Sequence, residues 1–369
     1  MKVGQAEKID LKSLSAEDLE RFVMEEGLPL FRARQLIHWM YEKNAAGIDE
    51  ITEFSKPLRE NLAGKAYIGS LEIKKRLVSE DGTEKYLFGL EDGNGIESVL
   101  MGDDRLPGEG PEGANRFTPR LTLCLSSQVG CAMGCRFCLT GKTGLVRNLE
   151  AHEIVEQALA AERLIRPRKI TNIVFMGMGE PLNNLQNVAE ALRRLTGFLR
   201  ISGRRITVST SGIVPAIGEL AQAAPSVNLA VSLNASTDKG RSEIMPINRK
   251  YGLAPLIEAL RRFPLPKRGR ITLEYVLLGG VNDSDEDALR LVKLLRGLPA
   301  KVNLIPFNAH EGAPFSPPPP SRMLAFQEIL IEGRLSAFVR KSRGADIMAA
   351  CGQLRAGLIN QSGFIDRGR

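Results

Sequence analysis

The stretch CLSSQVGCAMGCRFC, residues 124–138, decides the reading of this chain. It gathers Cys124, Cys131, Cys135 and Cys138, four of the five cysteines, into a glycine-bearing loop that follows an apolar, strand-like run. Cys131, Cys135 and Cys138 are spaced Cys-x3-Cys-x2-Cys, with Phe137 just before the third. Three thiolates can hold three corners of an iron–sulfur cube and leave the fourth iron open to an outside ligand. The alternative is a four-thiolate zinc site that uses Cys124 as the fourth ligand. The spacing favours the cluster, because zinc sites usually pair their ligands as two short Cys-x2-Cys knuckles. Both readings stand on the cysteines alone.

Downstream of residue 120 the pattern is strand then helix, repeated. The apolar runs LTLCLSS (121–127), ITNIVFMG (170–177), RITVST (205–210), VNLAVSL (227–233), RITLEYVLL (270–278) and KVNLIPF (301–307) read as strands. Between and after them lie helical patterns such as HEIVEQALAAERL, NVAEALRRLTGFL, LAPLIEALRRF and DEDALRLVKLLRG. Buried apolar strands alternating with helices predict a parallel sheet built from right-handed crossovers. Six such units suit a closed or partly open (β/α)6 barrel over 120–335, in an α/β fold. Chemistry in such barrels gathers at the carboxyl ends of the strands. There the sequence places the cysteine loop, GMGEP (177–181), Ser209-Thr210-Ser211-Gly212, Ser232-Leu233-Asn234 and Asn308. A glycine-rich turn lets backbone approach a ligand, and a carboxylate such as Glu180 can accept from an ammonium group. Each motif is weak alone; their joint placement on one face, beside the cysteines, is informative.

Upstream, residues 1–64 read as a helical unit, with Ser15 before Glu17 and Asp18 as a helix start, then FRARQLIHWMYEK and ITEFSKPLRENLAG. Short alternating runs with DG and GNG turns predict a small β unit over 65–101. A Gly- and Pro-rich stretch, 102–119, reads as a linker. Residues 336–369 form a C-terminal segment that carries Cys351. A lone cysteine is usually a buried small apolar side chain, while the functional reading is a tail thiol that swings over the barrel mouth as a nucleophile.

At 369 residues the chain can hold one large α/β domain and a smaller one. No apolar run approaches the ~20 residues of a membrane span, and the amino terminus lacks a signal-peptide core, so the expectation is a cytoplasmic protein without membrane contact. In that compartment a tight cysteine cluster points to a metal or redox site rather than a disulfide framework. The net charge is +7, yet residues 1–64 hold nine Lys/Arg against twelve Asp/Glu, so the basic surplus lies in the rest. Clusters at 193–205, 261–270 and 334–343 permit a polyanionic partner such as RNA.

With these residues in place, the chain resembles a known family. Cys131-x3-Cys135-x2-Cys138 with Phe137 resembles the motif of radical S-adenosylmethionine (SAM) enzymes. CLSSQVGC, GMGEPLNN, STSG, MPINRKY, NLIPFN and RGADIMAACGQL together resemble the RlmN-type methyltransferases, which act on carbon 2 of an adenine in 23S ribosomal RNA. The resemblance runs from FRARQLIHWMY to CGQL, nearly the whole chain. It implies a [4Fe–4S] cluster on Cys131, Cys135 and Cys138, and SAM, two molecules per turnover, at Gly179, Glu180, Ser209, Ser232, Leu233, Asn234 and Asn308. It also implies a methyl-carrying Cys351, a resolving Cys124 that closes a disulfide with Cys351, and Glu97 as proton acceptor. The partners it implies are 23S rRNA, in some members also the adenine beside the tRNA anticodon, and an electron donor for the cluster. Two features depart from the family: Asn234 stands where many members carry histidine, and the 102–119 connection is longer than usual.

Two rival readings accompany this one. A Cfr-type enzyme, a relative that methylates carbon 8, shares much of the motif set, although Pro181 and Ser211 resemble the carbon-2 branch. A zinc-stabilised, non-catalytic RNA-binding module would explain the basic surplus and clustered cysteines, but neither Cys351 nor the polar strand ends.

Overall fold

A computed structural model describes residues 8–102 and 120–356. The predicted 102–119 linker lies, from residue 103 on, outside the described residues.

The molecule is organised on one ten-stranded sheet whose strands lie side by side in chain order. Its first three strands, β1 (Glu72–Val78), β2 (Glu84–Gly89) and β3 (Gly95–Met101), form an antiparallel meander. The DG and GNG signals mark its turns, where Gly82 and Gly93 take positive φ. The next strands are β4 (Thr122–Cys124), β5 (Asn172–Phe175), β6 (Ile206–Thr210), β7 (Asn228–Ser232), β8 (Ile271–Leu277), β9 (Ala300–Pro306) and β10 (Ser336–Val339). These seven are parallel, and β3 joins β4 antiparallel through Val99 opposite Cys124.

The α/β barrel expected from the sequence is therefore present and open, with two additions. The sheet runs continuously from the β unit into the barrel across the predicted linker. It also acquires a seventh parallel strand, β10, within the segment read as a C-terminal tail; Lys301 opposite Ser336 through Leu304 opposite Val339 set its register. β10 is only four residues long and begins just after Arg334, which has φ of 61°. Such a strand carries too little alternation to stand out.

The crossover helices form where the caps predict. Glu150 and Glu153 make a reciprocal capping box at Ala151–Ile165, and Ser284 caps Asp285–Leu294, whose first turn is acidic. In the amino-terminal unit Ser15 accepts from the N–H of Asp18, and Ser55, followed by Pro57, starts Lys56–Lys65 later than the apolar pattern suggested. This unit is pinned to the barrel's helices by buried charge. Lys12 Nζ meets Glu156 at 2.5 Å, and Arg194, itself paired with Glu190, donates to the carbonyls of Lys12 and Leu14. Removing one partner of such a pair would strand the other in the interior, a cost of several kcal/mol, on the order of 3–5. Among the described residues no helix is long and apolar enough to cross a membrane.

Candidate active site

The cysteine loop is built on a hairpin that the alternation did not reveal. Gln128–Cys131 pairs antiparallel with Gly144–Asn148, so Cys131 sits on a strand while Cys135 and Cys138 lie in the connecting turn. Gly130 makes the closure possible: it has φ of +76°, and a Cβ there would sit 1.9 Å from the Gly144 carbonyl oxygen. The turn is tightened by the Cys138 N–H donating to the Cys135 carbonyl and by the Arg136 N–H donating to the Ile244 carbonyl.

All three thiols face one cavity at the carboxyl ends of the parallel strands. Burial pushes the Cys131 thiol up to about 12 and raises Cys135 and Cys138 as well; the neighbouring thiols raise Cys135 further. Without a metal these groups stay protonated at neutral pH; with one they become ligands. Among the described residues no three His, Cys, Asp or Glu side chains are placed to hold a single ion. A cube asks for something else, one thiolate on each of three different irons, and three soft sulfur donors around an open cavity fit that demand.

Opposite the cysteines lies GMGEP, and here the glycines have a role that the spacing alone did not suggest. A Cβ on Gly177 would fall 2.7 Å from the Leu125 carbonyl, and one on Gly179 would fall 2.6 Å from Gln128 Cβ. They let the second strand's loop pack directly on the cysteine motif, besides lining the cavity. The N–H groups of Ser127 and Gln128 donate to the Met178 carbonyl, and Met178 N–H donates to Ser126 Oγ. Glu180 is buried in the cavity wall. Burial raises its carboxyl, against the pull of the Ser211 N–H at 2.6 Å on one oxygen and the Leu182 N–H at 3.0 Å on the other. The remaining lone pairs suit a cationic group in the cavity.

Of the other predicted ligands, Ser209, Ser232, Asn234 and Asn308 line the same cavity. Asn234 takes a left-handed backbone (φ 57°), and its Oδ1 accepts from the Val276 N–H, tying β7 to β8. Leu233 is different: its side chain is fully buried in the core, and its carbonyl accepts from Arg241 Nε. Arg241 was not singled out by sequence. It is fully buried, and its guanidinium also holds the carbonyls of Ser211 and Ser232 and Asn248 Oδ1, fixing the ends of β6 and β7 under the cavity. Burial lowers it to about 10, while Cys135 and Asp238 pull the other way. Glu274 was also missed. It is a buried carboxyl on β8 that lines the cavity, raised by burial and held by Asn303 Nδ2 at 3.0 Å. A lone charge at an inward position of an apolar strand was the available signal.

Cys351 lies in the cavity wall, docked instead of free to swing. Asn308 Nδ2 donates to its carbonyl at 3.0 Å, Leu139 N–H donates to the Gly352 carbonyl, and Thr140 Oγ1 donates to the Leu354 carbonyl. The residue as a whole is exposed, but its thiol sits among groups that crowd it. Desolvation there, Glu274 and Cys138 push it up to about 12, with Arg340 opposing. Cys124 is buried at the end of β4, outside the cavity lining. Burial raises it strongly, and the charge on Cys351 raises it further, so the two thiols lie within electrostatic reach. Both are free in this structure. Glu97 does not line the cavity. It is buried on β3, with Lys85 Nζ 3.1 Å from Oε1 and the Arg355 N–H donating to Oε2 at 2.8 Å.

Comparison with known proteins identifies relatives over nearly the whole chain. Residues 125–292 match the Radical SAM superfamily, and residues 9–68 match the Ribosomal RNA large subunit methyltransferase N-terminal domain. The chain is 51% identical over 354 residues to the dual-specificity RNA methyltransferase RlmN of Pelobacter propionicus, covering 95% of this chain and 97% of that one. It is also 51% identical over 352 residues to the protein of the same name in Geobacter sulfurreducens, covering 95% and 93%. Among solved structures, a radical SAM methyltransferase from Sphaerobacter thermophilus superimposes with a TM-score of 0.86 at 45% identity, over 94% of this chain and 99% of that one.

Proposed function

Since the chain belongs to the RlmN family of radical SAM RNA methyltransferases, we propose that it methylates carbon 2 of an adenine in 23S rRNA, and the adenine beside a tRNA anticodon, in the cytoplasm. The dual-specificity name of its relatives supports two RNA substrates. The observation that carries the reading is the docking of Cys351 in the cavity shared by Cys131, Cys135, Cys138 and Glu180, with Cys124 within electrostatic reach.

Cys131, Cys135 and Cys138 would hold the [4Fe–4S] cluster, and Glu180, Gly179, Ser209, Ser232, Asn234 and Asn308 would border SAM, with Leu233 contributing backbone. Bound there, with an electron from a reductant, the pair supplies a 5′-deoxyadenosyl radical. The protein's own residues address a specific difficulty: carbon 2 of adenine is electron-poor and has no acidic proton, so an electrophilic methyl donor finds no partner there. Cys351 solves it by accepting the methyl group first, as a thiolate displacing S-adenosylhomocysteine from SAM. With the thiol held at about 12, that step needs a base to take its proton. Once the carbon is joined to the ring, restoring the aromatic ring requires loss of one proton and one electron. Glu97, buried outside the cavity lining against Lys85 and Arg355, would take the proton once the substrate reaches it, and the electron would return to the cluster. Cys124 then attacks the Cys351 sulfur as a thiolate: an S–S bond forms, the S–C bond breaks with its electron pair on the carbon, and a proton taken up there completes the methyl group on the RNA. Two SAM molecules and an electron donor serve each cycle.

Mass spectrometry of defined 23S rRNA and tRNA fragments after reaction tests the reading. Methyl at carbon 2 of adenine is expected; a product methylated only at carbon 8 would overturn it.

A further inference from the structure

Cys351 lies midway along a strap, residues 344–356, and both flanks of that strap lead back to one carboxylate. On the far side of Cys351, the Arg355 N–H donates to Glu97 Oε2 at 2.8 Å. On the near side, Lys85 Nζ bridges Glu97 Oε1 at 3.1 Å and the Met348 carbonyl at 3.0 Å. Met348 itself takes a left-handed backbone (φ 54°), so the chain turns sharply where the ammonium grips it. Both charged residues are buried, Lys85 at 8% exposure and Glu97 at 5%. They project from paired strands, β2 and β3, while Ser126 Oγ donates to the Glu97 carbonyl and ties this corner to the cysteine motif.

We propose that Lys85 and Glu97 form a latch that sets Cys351 in the cavity, with Lys85 a positioning residue, and that proton uptake at Glu97 opens it. The second clause rests on the reading of Glu97 as the acceptor of the ring proton. In that step the proton goes to a Glu97 oxygen, the carbon–hydrogen electron pair stays with the ring, and the unpaired electron of the adduct passes to the oxidised cluster proposed on Cys131, Cys135 and Cys138. A neutral carboxylic acid no longer pairs with the Lys85 ammonium, and one oxygen becomes a donor where an acceptor is needed. The Met348 and Arg355 ends of the strap then lose their anchor at the moment when Cys351 must meet Cys124. Holding the loop for methyl transfer and releasing it for resolution thereby become the work of one group in its two protonation states.

Hydrogen exchange on the full chain tests the latch without requiring turnover. Lys85→Met should make amides in 348–355 exchange about tenfold faster or more, while amides of β8 keep their protection. Lys85→Arg, which keeps the charge and a donor, should restore most of the difference. Glu97→Gln preserves size and shape but cannot pair with Lys85, so it should loosen the same amides; where Lys85→Met disturbs β8, the Glu97→Gln protein decides instead. Unchanged exchange of 348–355 in a variant whose β8 remains protected overturns the latch. For the opening step, the RNA-linked adduct of the Cys124→Ala protein, in which the ring proton has been removed, should show faster strap exchange than the free Cys124→Ala protein. Equal or slower exchange in the adduct overturns that clause. A product methylated at another ring position would defeat the functional reading and leave the exchange result on Lys85 standing.

Discussion

Two segments bring sulfur to the cavity, and they are held in opposite ways. The 128–148 hairpin is closed by its own backbone ladder and by Gly130, where a Cβ would meet the Gly144 carbonyl oxygen, so its three thiols are fixed largely from within the segment. The 344–356 strap has no ladder. It hangs mostly on side-chain-to-backbone bonds from separate parts of the molecule, Asp81 to the Gly344 N–H, Lys85 to Met348, Asn308 to Cys351, Thr140 to Leu354 and Glu97 to Arg355, with one backbone bond from Leu139 to the Gly352 carbonyl. Asp346 adds a return bond to Ser79 Oγ at 2.5 Å. Each such bond contributes roughly 0.5–1.5 kcal/mol net, somewhat more where a charge takes part. A cluster ligand must stay in place, whereas a thiol that accepts a methyl group and then meets another thiol must be able to leave it.

The sharpest way to break this contrast is chemical. Cys351→Ala should abolish methylation and form no protein–RNA adduct, while Cys124→Ala should accumulate a covalent adduct visible on denaturing gels. Normal turnover by Cys124→Ala would remove the distinction between the two kinds of thiol. A backbone change should come next in size. Gly130→Ala forces a Cβ against the Gly144 carbonyl at a positive φ, with an expected cost of about 3 kcal/mol concentrated in the hairpin. Bound iron per chain should fall, read by metal analysis after reconstitution, while exchange at 344–349, the part of the strap not bonded to the hairpin, changes little. The smallest effect is on the strap in acid. Burial alone would raise Asp81, but hydrogen bonds from Thr83, the Gly344 N–H and Ser79 bring it down to about 2 from an ordinary 3.8. A depressed carboxylate stabilises fully above its ordinary value and loses that contribution as pH falls through its folded one. As pH falls from 3.8 to about 2, exchange near residue 344 should therefore quicken before exchange in the 128–148 ladder.

The parts of the molecule with long, uniform patterns were readable in advance. Six parallel strands, their helices, the Ser15 cap and a small β unit follow from periodicity and turn residues, because each is specified within its own ten or so residues. The thiols themselves were visible, and the structure gathers Cys131, Cys135, Cys138 and Cys351 around one cavity. Contacts that depend on distant pieces were not readable. Nothing in EKYLFG announces that Lys85 reaches Met348, some 263 positions away. Leu233 and Arg241 show the same limit from two sides: one sits in a functional motif but points into the core, the other stands outside it and ties the strand ends together. The hairpin was hidden because its strands are four and five residues long, with glycines at the closing positions.

The order of the ten-stranded sheet has a consequence for how such a protein is born. Every strand lies beside the one made just before it, so each new strand leaving the ribosome finds its partner already present. No strand has to wait for a distant segment, and the exposed growing edge is always the most recent one. The strap follows all ten strands, and its anchors on β2, β3 and the turn between β1 and β2 are among the earliest sheet residues made. The Cys351 thiol is thus delivered to a barrel that is already assembled. A chain interrupted before residue 344 can complete the sheet yet lacks the thiol that docks in its cavity.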